Sequence, residues 1–233
     1  FIPGLEVVYS MAHHEPLLNG DLELVQLSQL ITGDPQEEEV QKKGTPMGTL
    51  GFRFALPQAG FEAYAEIGWG DGFLNPLPRV SDTSSHHIYM LGFARTDTTT
   101  SGNRWRLSGE IIKQTMGLPQ PSEIPSTESH FTPRRVGHGH THRGQLLGAS
   151  IGPGSNAQYL ALDWLGSKQT LGIFAERTRR DDDTYVRIHA FDYGFRGHDL
   201  EWTVGIRAGR SLAIGPGWLS LGTEVGISRR KNR

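Results

Sequence analysis

The chain contains no cysteine, which excludes disulfides and thiolate metal sites. It also lacks any run near the roughly 18 consecutive apolar residues of a membrane helix. That excludes helical spans only, because a membrane strand alternates apolar and polar residues. Net charge is small, formally -2, whereas nucleic-acid binding needs a concentrated basic surface. The one dense basic run, Arg229, Arg230, Lys231 and Arg233, reads as a strand end or solvated tail. Hydrophobic residues make up only 36%, yet there are 30 glycines, 10 phenylalanines and 5 tryptophans. That mixture suits half-buried strands joined by turns and does not suit disorder. The chain begins at Phe1, with no initiator methionine or signal peptide, and is expected to be a mature or truncated piece.

Period-two alternation recurs along the sequence. Phe61, Ala63, Ala65 and Ile67 oppose Glu62, Tyr64 and Glu66. Trp105, Leu107, Gly109 and Ile111 oppose Arg104, Arg106, Ser108 and Glu110. Leu200, Trp202, Val204 and Ile206 oppose Glu201, Thr203, Gly205 and Arg207. Leu219, Leu221, Thr223, Val225 and Ile227 oppose Ser220, Gly222, Glu224, Gly226 and Ser228. Successive side chains of a strand point to opposite faces, so each segment has an apolar and a polar side. Further strands are predicted at Leu5–Ser10, Met47–Leu56, His87–Arg95, Gln145–Ile151, Tyr159–Leu165, Gln169–Arg177 and Tyr185–Phe195. The sum is about ten or eleven, many of about 9 to 11 residues, the length a tilted strand needs to cross a bilayer. Both an antiparallel transmembrane β-barrel and a soluble sandwich fit this alternation.

Connections at Pro57–Ala59, Thr96–Gly102 and Gly152–Gln158 are short, and those near 11–46, 70–86 and 114–142 are long. Short turns alternating with long loops are the habit of outer-membrane barrels. Gly166–Lys168 and Arg196–His198 are tight where long loops are due, so the pattern weakens in the second half. Leu24, Leu27, Leu30 and Ile31 have helical spacing, which predicts a short helix over Asp21–Ile31 inside a long loop.

His138, His140 and His142 alternate, so two could share a strand face and ligate zinc. No well-spaced carboxylate completes the set, and glycine-flanked histidines also line polar surfaces that bind sugar hydroxyls. Glu62 and Glu66 share a face, with Glu110 possible on a neighbour. Such carboxylates could serve glycoside hydrolysis, but inside a barrel they would more simply pair with arginines such as Arg104 and Arg106. Trp69, Asp71, His86 and His87 flank a long loop and could form a sugar platform, or an interfacial aromatic girdle. Arg179 to Asp183 lacks the spacing of a calcium loop and reads as a hairpin tip. The glycines of Ile151–Asn156 precede a strand, so no phosphate cradle and no cofactor are expected.

The run Gly51-Phe-Arg-Phe-Ala-Leu-Pro57, then Phe61-Glu-Ala-Tyr-Ala-Glu-Ile-Gly68 with Asp71, resembles the capsule assembly protein Wzi family. So do Arg106–Glu110, His140-Thr-His-Arg-Gly-Gln-Leu-Leu-Gly148 leading into Ile151–Gly154, and Glu176–Tyr185, in that order. The resemblance covers roughly residues 1–228 and implies an outer-membrane barrel of about eighteen strands with a helical plug. It implies a lectin-like, non-enzymatic role at the cell surface, holding capsular polysaccharide and helping organise the capsule, with outer-membrane lipid around the wall. The chain would then be the C-terminal part of a longer protein. The basic ending lacks the terminal aromatic common in such barrels, and Met116–Thr132 has no counterpart in the family. Candidate carbohydrate-binding residues are Glu62, Glu66, Trp69, Asp71, Glu110, His140, His142 and Arg143.

Overall fold

Nine of the alternating segments join one antiparallel sheet in a computed structural model of the chain. It describes residues 3–14, 45–70, 87–114, 141–142, 145–146, 150–182, 199–214 and 217–231. The strands are β1 (Leu5–His14), β2 (Thr45–Leu56), β3 (Phe61–Gly70), β4 (His87–Thr98) and β5 (Arg104–Lys113). Two short strands, β6 (Thr141–His142) and β7 (Gln145–Leu146), pair only with each other. Then come β8 (Asn156–Leu165), β9 (Gln169–Arg179), β10 (Leu200–Ile214) and β11 (Gly217–Lys231). Sheet order is β1-β2-β3-β4-β5-β8-β9-β10-β11, so each long strand lies beside its sequence neighbour. The sheet is not closed; β1 and β11 are its two edges.

One predicted strand does not join the large sheet. Of the described residues in Gln145–Ile151, Gln145 and Leu146 are in a strand that stands outside the large sheet; residues 147–149 fall outside the described residues. Ser150 and Ile151 belong to a turn, and Gly152 and Gly154 adopt left-handed φ of 88° and 62°. Glycine enters that conformation without the steric cost other residues meet, so the segment leaves the extended state. Tyr185–Phe195 and the helix over Asp21–Ile31 fall outside the described residues.

Removing that strand restores the loop pattern. Connections 15–44, 71–86, 114–155 and 180–199 all leave one end of the sheet. Connections 57–60, 99–103, 166–168 and 215–216 all leave the other. Gly166–Lys168 is therefore tight where a tight turn belongs.

Register decides which side chains share a wall. One rung runs Glu6, Arg53, Tyr64, Gly92, Glu110, Tyr159, Glu176, Thr203 and Ser228 across all nine strands. The rung one residue away runs Leu5, Phe54, Ala63, Phe93, Gly109, Leu160, Ala175, Val204 and Ile227. One carries a polar group at eight of its nine positions, interrupted only by Gly92; the other holds no polar side chain.

Exposure separates the two architectures. A sandwich buries its apolar face against a second sheet. Here Val204, Ile206 and Ile227, on the apolar face, are 61%, 62% and 81% exposed. Ala161 and Thr178, on the polar face, are each 2% exposed. An apolar outer wall around a polar interior is the arrangement of a membrane β-barrel.

A charge placed mid-wall should therefore be costly in a bilayer. Leu160→Arg should lower the unfolding free energy by about 2–4 kcal/mol, and Thr203→Arg by well under half of that. Urea titration of the protein in lipid vesicles, read by heat-dependent gel migration, measures both.

Candidate functional site

The polar wall is a network of cross-strand pairs. On β2, Arg53 donates to Glu6 of β1 and to Glu62 of β3, each at 3.0 Å. Both carboxylates are well exposed, so this triad shapes the wall more than it stabilises it. The Tyr64 hydroxyl of β3 donates to Glu110 on β5, passing over β4. That crossing needs Gly92, because a Cβ there would lie 2.2 Å from Tyr64 Cζ.

The same device appears at β9. Arg207 of β10 reaches past β9 to Asp163 of β8, with Nε–Oδ1 at 2.6 Å and Nη2–Oδ2 at 2.5 Å. A Cβ on Gly172 would sit 2.1 Å from Asp163 Oδ1, so only glycine leaves the passage clear. Two parallel bonds between guanidinium and carboxylate fix orientation as well as charge. Arg207 Nη1 also donates to Tyr159 Oη at 2.9 Å. The Tyr159 ring stacks on Phe174, with centroids 6.1 Å apart. The result is an aromatic surface with its hydroxyl pinned. Carboxylates stand at the register partners on both sides, Glu110 on β5 and Glu176 on β9. Rings offer an apolar platform and carboxylates accept from hydroxyl groups, which together suit a saccharide.

At the long-connection end, Arg180 donates to Glu201 at 2.9 Å and Arg230 donates to Asp199. The Arg230 hydrogen bond and charge hold the Asp199 carboxyl below its ordinary value of 3.8, against a smaller opposing effect of burial. This depressed value means that the pair stabilises the fold above the ordinary aspartate value. The contribution is lost as pH falls through the lower folded value.

Three of the predicted residues lie together on the polar wall. Glu62 and Glu66 are on β3 and Glu110 is on β5. Glu62 pairs with an arginine, though it is Arg53 that bonds it and Arg106 acts on it only by charge, while Glu110 accepts from Tyr64. Tyr64 shares the rung of Glu110, whereas Glu62 finds Arg53 on the adjacent strand β2 and has Arg106 two strands away on β5. Glu66 has no hydrogen-bond or ion-pair partner among the described residues. Trp69 is paired through its backbone with Gly48 and His87 at the long-connection end. His142 pairs with Gln145 in the small hairpin, and Asp71, His138, His140 and Arg143 fall outside the described residues. Asp163, Arg207, Tyr159 and Phe174 were not among the expected residues. Opposite charges at polar-phase positions two strands apart, with a glycine between, are the signal that could have found them.

No family model matches the chain, and no curated protein matches it. A solved structure does: Wzi, an outer membrane protein involved in group 1 capsule assembly in Escherichia coli and a carbohydrate-binding β-barrel. The likeness has a TM-score of 0.65 at 16% identity, over 99% of this chain and 46% of that one. The chain thus spans a little under half the length of that barrel, and the likeness is one of fold.

Removing Asp163 strands a half-buried guanidinium. Asp163→Ala should cost about 1–3 kcal/mol, reduced from the fully buried case because Arg207 is partly exposed. Asp97→Ala, which breaks the exposed pair with Arg95, should cost less than about 1 kcal/mol in the same urea titration. Asp199→Asn should remove part of the acid sensitivity of unfolding below about pH 4, leaving the profile near neutrality flat. An unchanged acid limb would show that Asp199 carries none of it.

Proposed function

We propose that the chain is a sector of an outer-membrane β-barrel that holds a capsular or other surface polysaccharide at the cell surface without cleaving it. The observation that carries this reading is the Glu110–Tyr159–Glu176 rung, a ring with a carboxylate on either side. It stands on the polar wall of a fold shared with a carbohydrate-binding barrel. The ring supplies a stacking face and the carboxylates accept sugar hydroxyls. Glu62, Glu66 and Glu110 extend the acceptor surface along β3 and β5. Trp69, Asp71, His140, His142 and Arg143, nominated from the sequence, are proposed as further contacts of the polymer.

Catalysis is the weaker reading. Glu62 and Glu66 are four residues apart on one strand, roughly 13 Å along the chain. Glycosidase carboxylates stand about 5–9.5 Å apart. Glu62 is also engaged by Arg53, so it is poorly disposed to donate a proton.

Fractionation of full-length, epitope-tagged protein tests the membrane assignment, and affinity electrophoresis through polysaccharide gels tests the ligand. Recovery in outer membranes with a heat-dependent gel shift is expected. Tyr159→Ala and Glu110→Gln should each weaken polysaccharide retardation by about fivefold to a hundredfold without altering that shift. Soluble recovery would sink the membrane assignment, and release of reducing sugar from the gel polymer would sink the non-catalytic one.

A further inference from the structure

The outer, apolar wall is not electrically uniform. At the long-connection end one rung runs Tyr89, Lys113, Asn156, Arg179, Leu200 and Lys231. The rung beneath it runs Ile111, Gln158, Arg177, Trp202 and Arg229. Five cations thus share one face within two rungs. Directly below lies the apolar rung of Leu160, Val204 and Ile227. Within the described strands, the one carboxylate on this face is Asp97, at the opposite end and bonded to Arg95 at 3.0 Å.

The basic run at the end of β11 takes its place here. Alternation divides it: Arg230 turns to the polar wall and bonds Asp199, while Arg229 and Lys231 fall on the outer face. Arg177 donates to Gln158 at 2.6 Å and lies 6.0 Å from the Trp202 ring centroid, which holds its charge at the apolar boundary. Arg179 bonds Asp182 at 2.9 Å. Lys113, Arg229 and Lys231 have no side-chain partner among the described residues.

We infer that this belt binds the net anionic, phosphate-bearing headgroups of membrane lipids in the leaflet around the long-connection end, with their acyl chains on the apolar rungs below. The inference rests on the membrane reading above. A ligand with an anionic head and an apolar tail satisfies both rungs at once. A free anion would satisfy only the cations, and a neutral lipid only the wall. Charge near a membrane surface attracts anionic lipid cumulatively, residue by residue.

The test uses full-length protein inserted in phosphatidylcholine vesicles containing a minor share of phosphatidylglycerol, with insertion read by heat-dependent migration and retained lipid counted by native mass spectrometry. Phosphatidylglycerol should be enriched roughly tenfold over its bulk share. The combined Lys113→Gln, Arg229→Gln and Lys231→Gln variant should lose most of that enrichment while keeping its heat shift. Arg229→Lys should keep the enrichment, and so should Arg210→Gln at the other end of the wall. Inserted protein without enrichment would overturn the proposal and leave the membrane reading intact. Failure to insert would overturn both. Displacement of phosphatidylglycerol by millimolar inorganic phosphate would overturn the lipid assignment in favour of a free-anion site.

Discussion

Every assignment of inside and outside in this sheet depends on strand register, because side chains alternate with a period of two. A slip of one residue would carry Leu160, Val204 and Ile227 to the polar wall and Glu110, Tyr159 and Glu176 to the apolar one. The nine strands keep both rungs in phase through every pairing, from Glu6 and Leu5 on β1 to Ser228 and Ile227 on β11. That continuity is a stronger statement than the amphipathicity of any single strand. A strand with one apolar side fits many folds, whereas nine in phase with the apolar side exposed suit a wall facing lipid.

The polar wall is organised by its gaps as much as by its charges. Neighbouring strands are about 4.8 Å apart, so a contact between alternate strands must cross roughly twice that. Gly92 and Gly172 leave the middle strand bare where Tyr64 meets Glu110 and where Arg207 meets Asp163. These links tie three strands at a time, and the register-dependent pairs in turn resist slippage. The same contacts hold the partly exposed Tyr159 ring, stacked on the buried Phe174, in position rather than free to rotate. A fixed platform loses less conformational freedom when a ligand stacks on it.

Much of the fold was legible in the sequence. The four fully alternating segments, including Phe61–Ile67 and Leu200–Arg207, lie in β3, β5, β10 and β11 with the expected faces. Exposure was not legible, because alternation is the same whether an apolar face meets lipid or a second sheet. Placing Gln145–Ile151 in the large sheet concealed the consistent alternation of loop lengths, since Gln145 and Leu146 pair only within a small hairpin and Ile151 lies in a turn. The site was legible in part. Glu62, Glu66 and Glu110 could be placed on a polar face from local pattern. Local pattern put Arg207 on a polar face too, but not its meeting with Asp163 and Tyr159, which lie 44 and 48 positions away and come together only when three strands are aligned.

The open sheet carries a consequence of parity. Consecutive strands reverse direction, and nine is odd, so β1 and β11 point the same way. Joining these edges directly would create a parallel pair, as would inserting any even number of antiparallel strands between them. A barrel whose every neighbouring pair is antiparallel therefore needs an odd number of strands beside these nine, giving the even total typical of bacterial outer-membrane barrels.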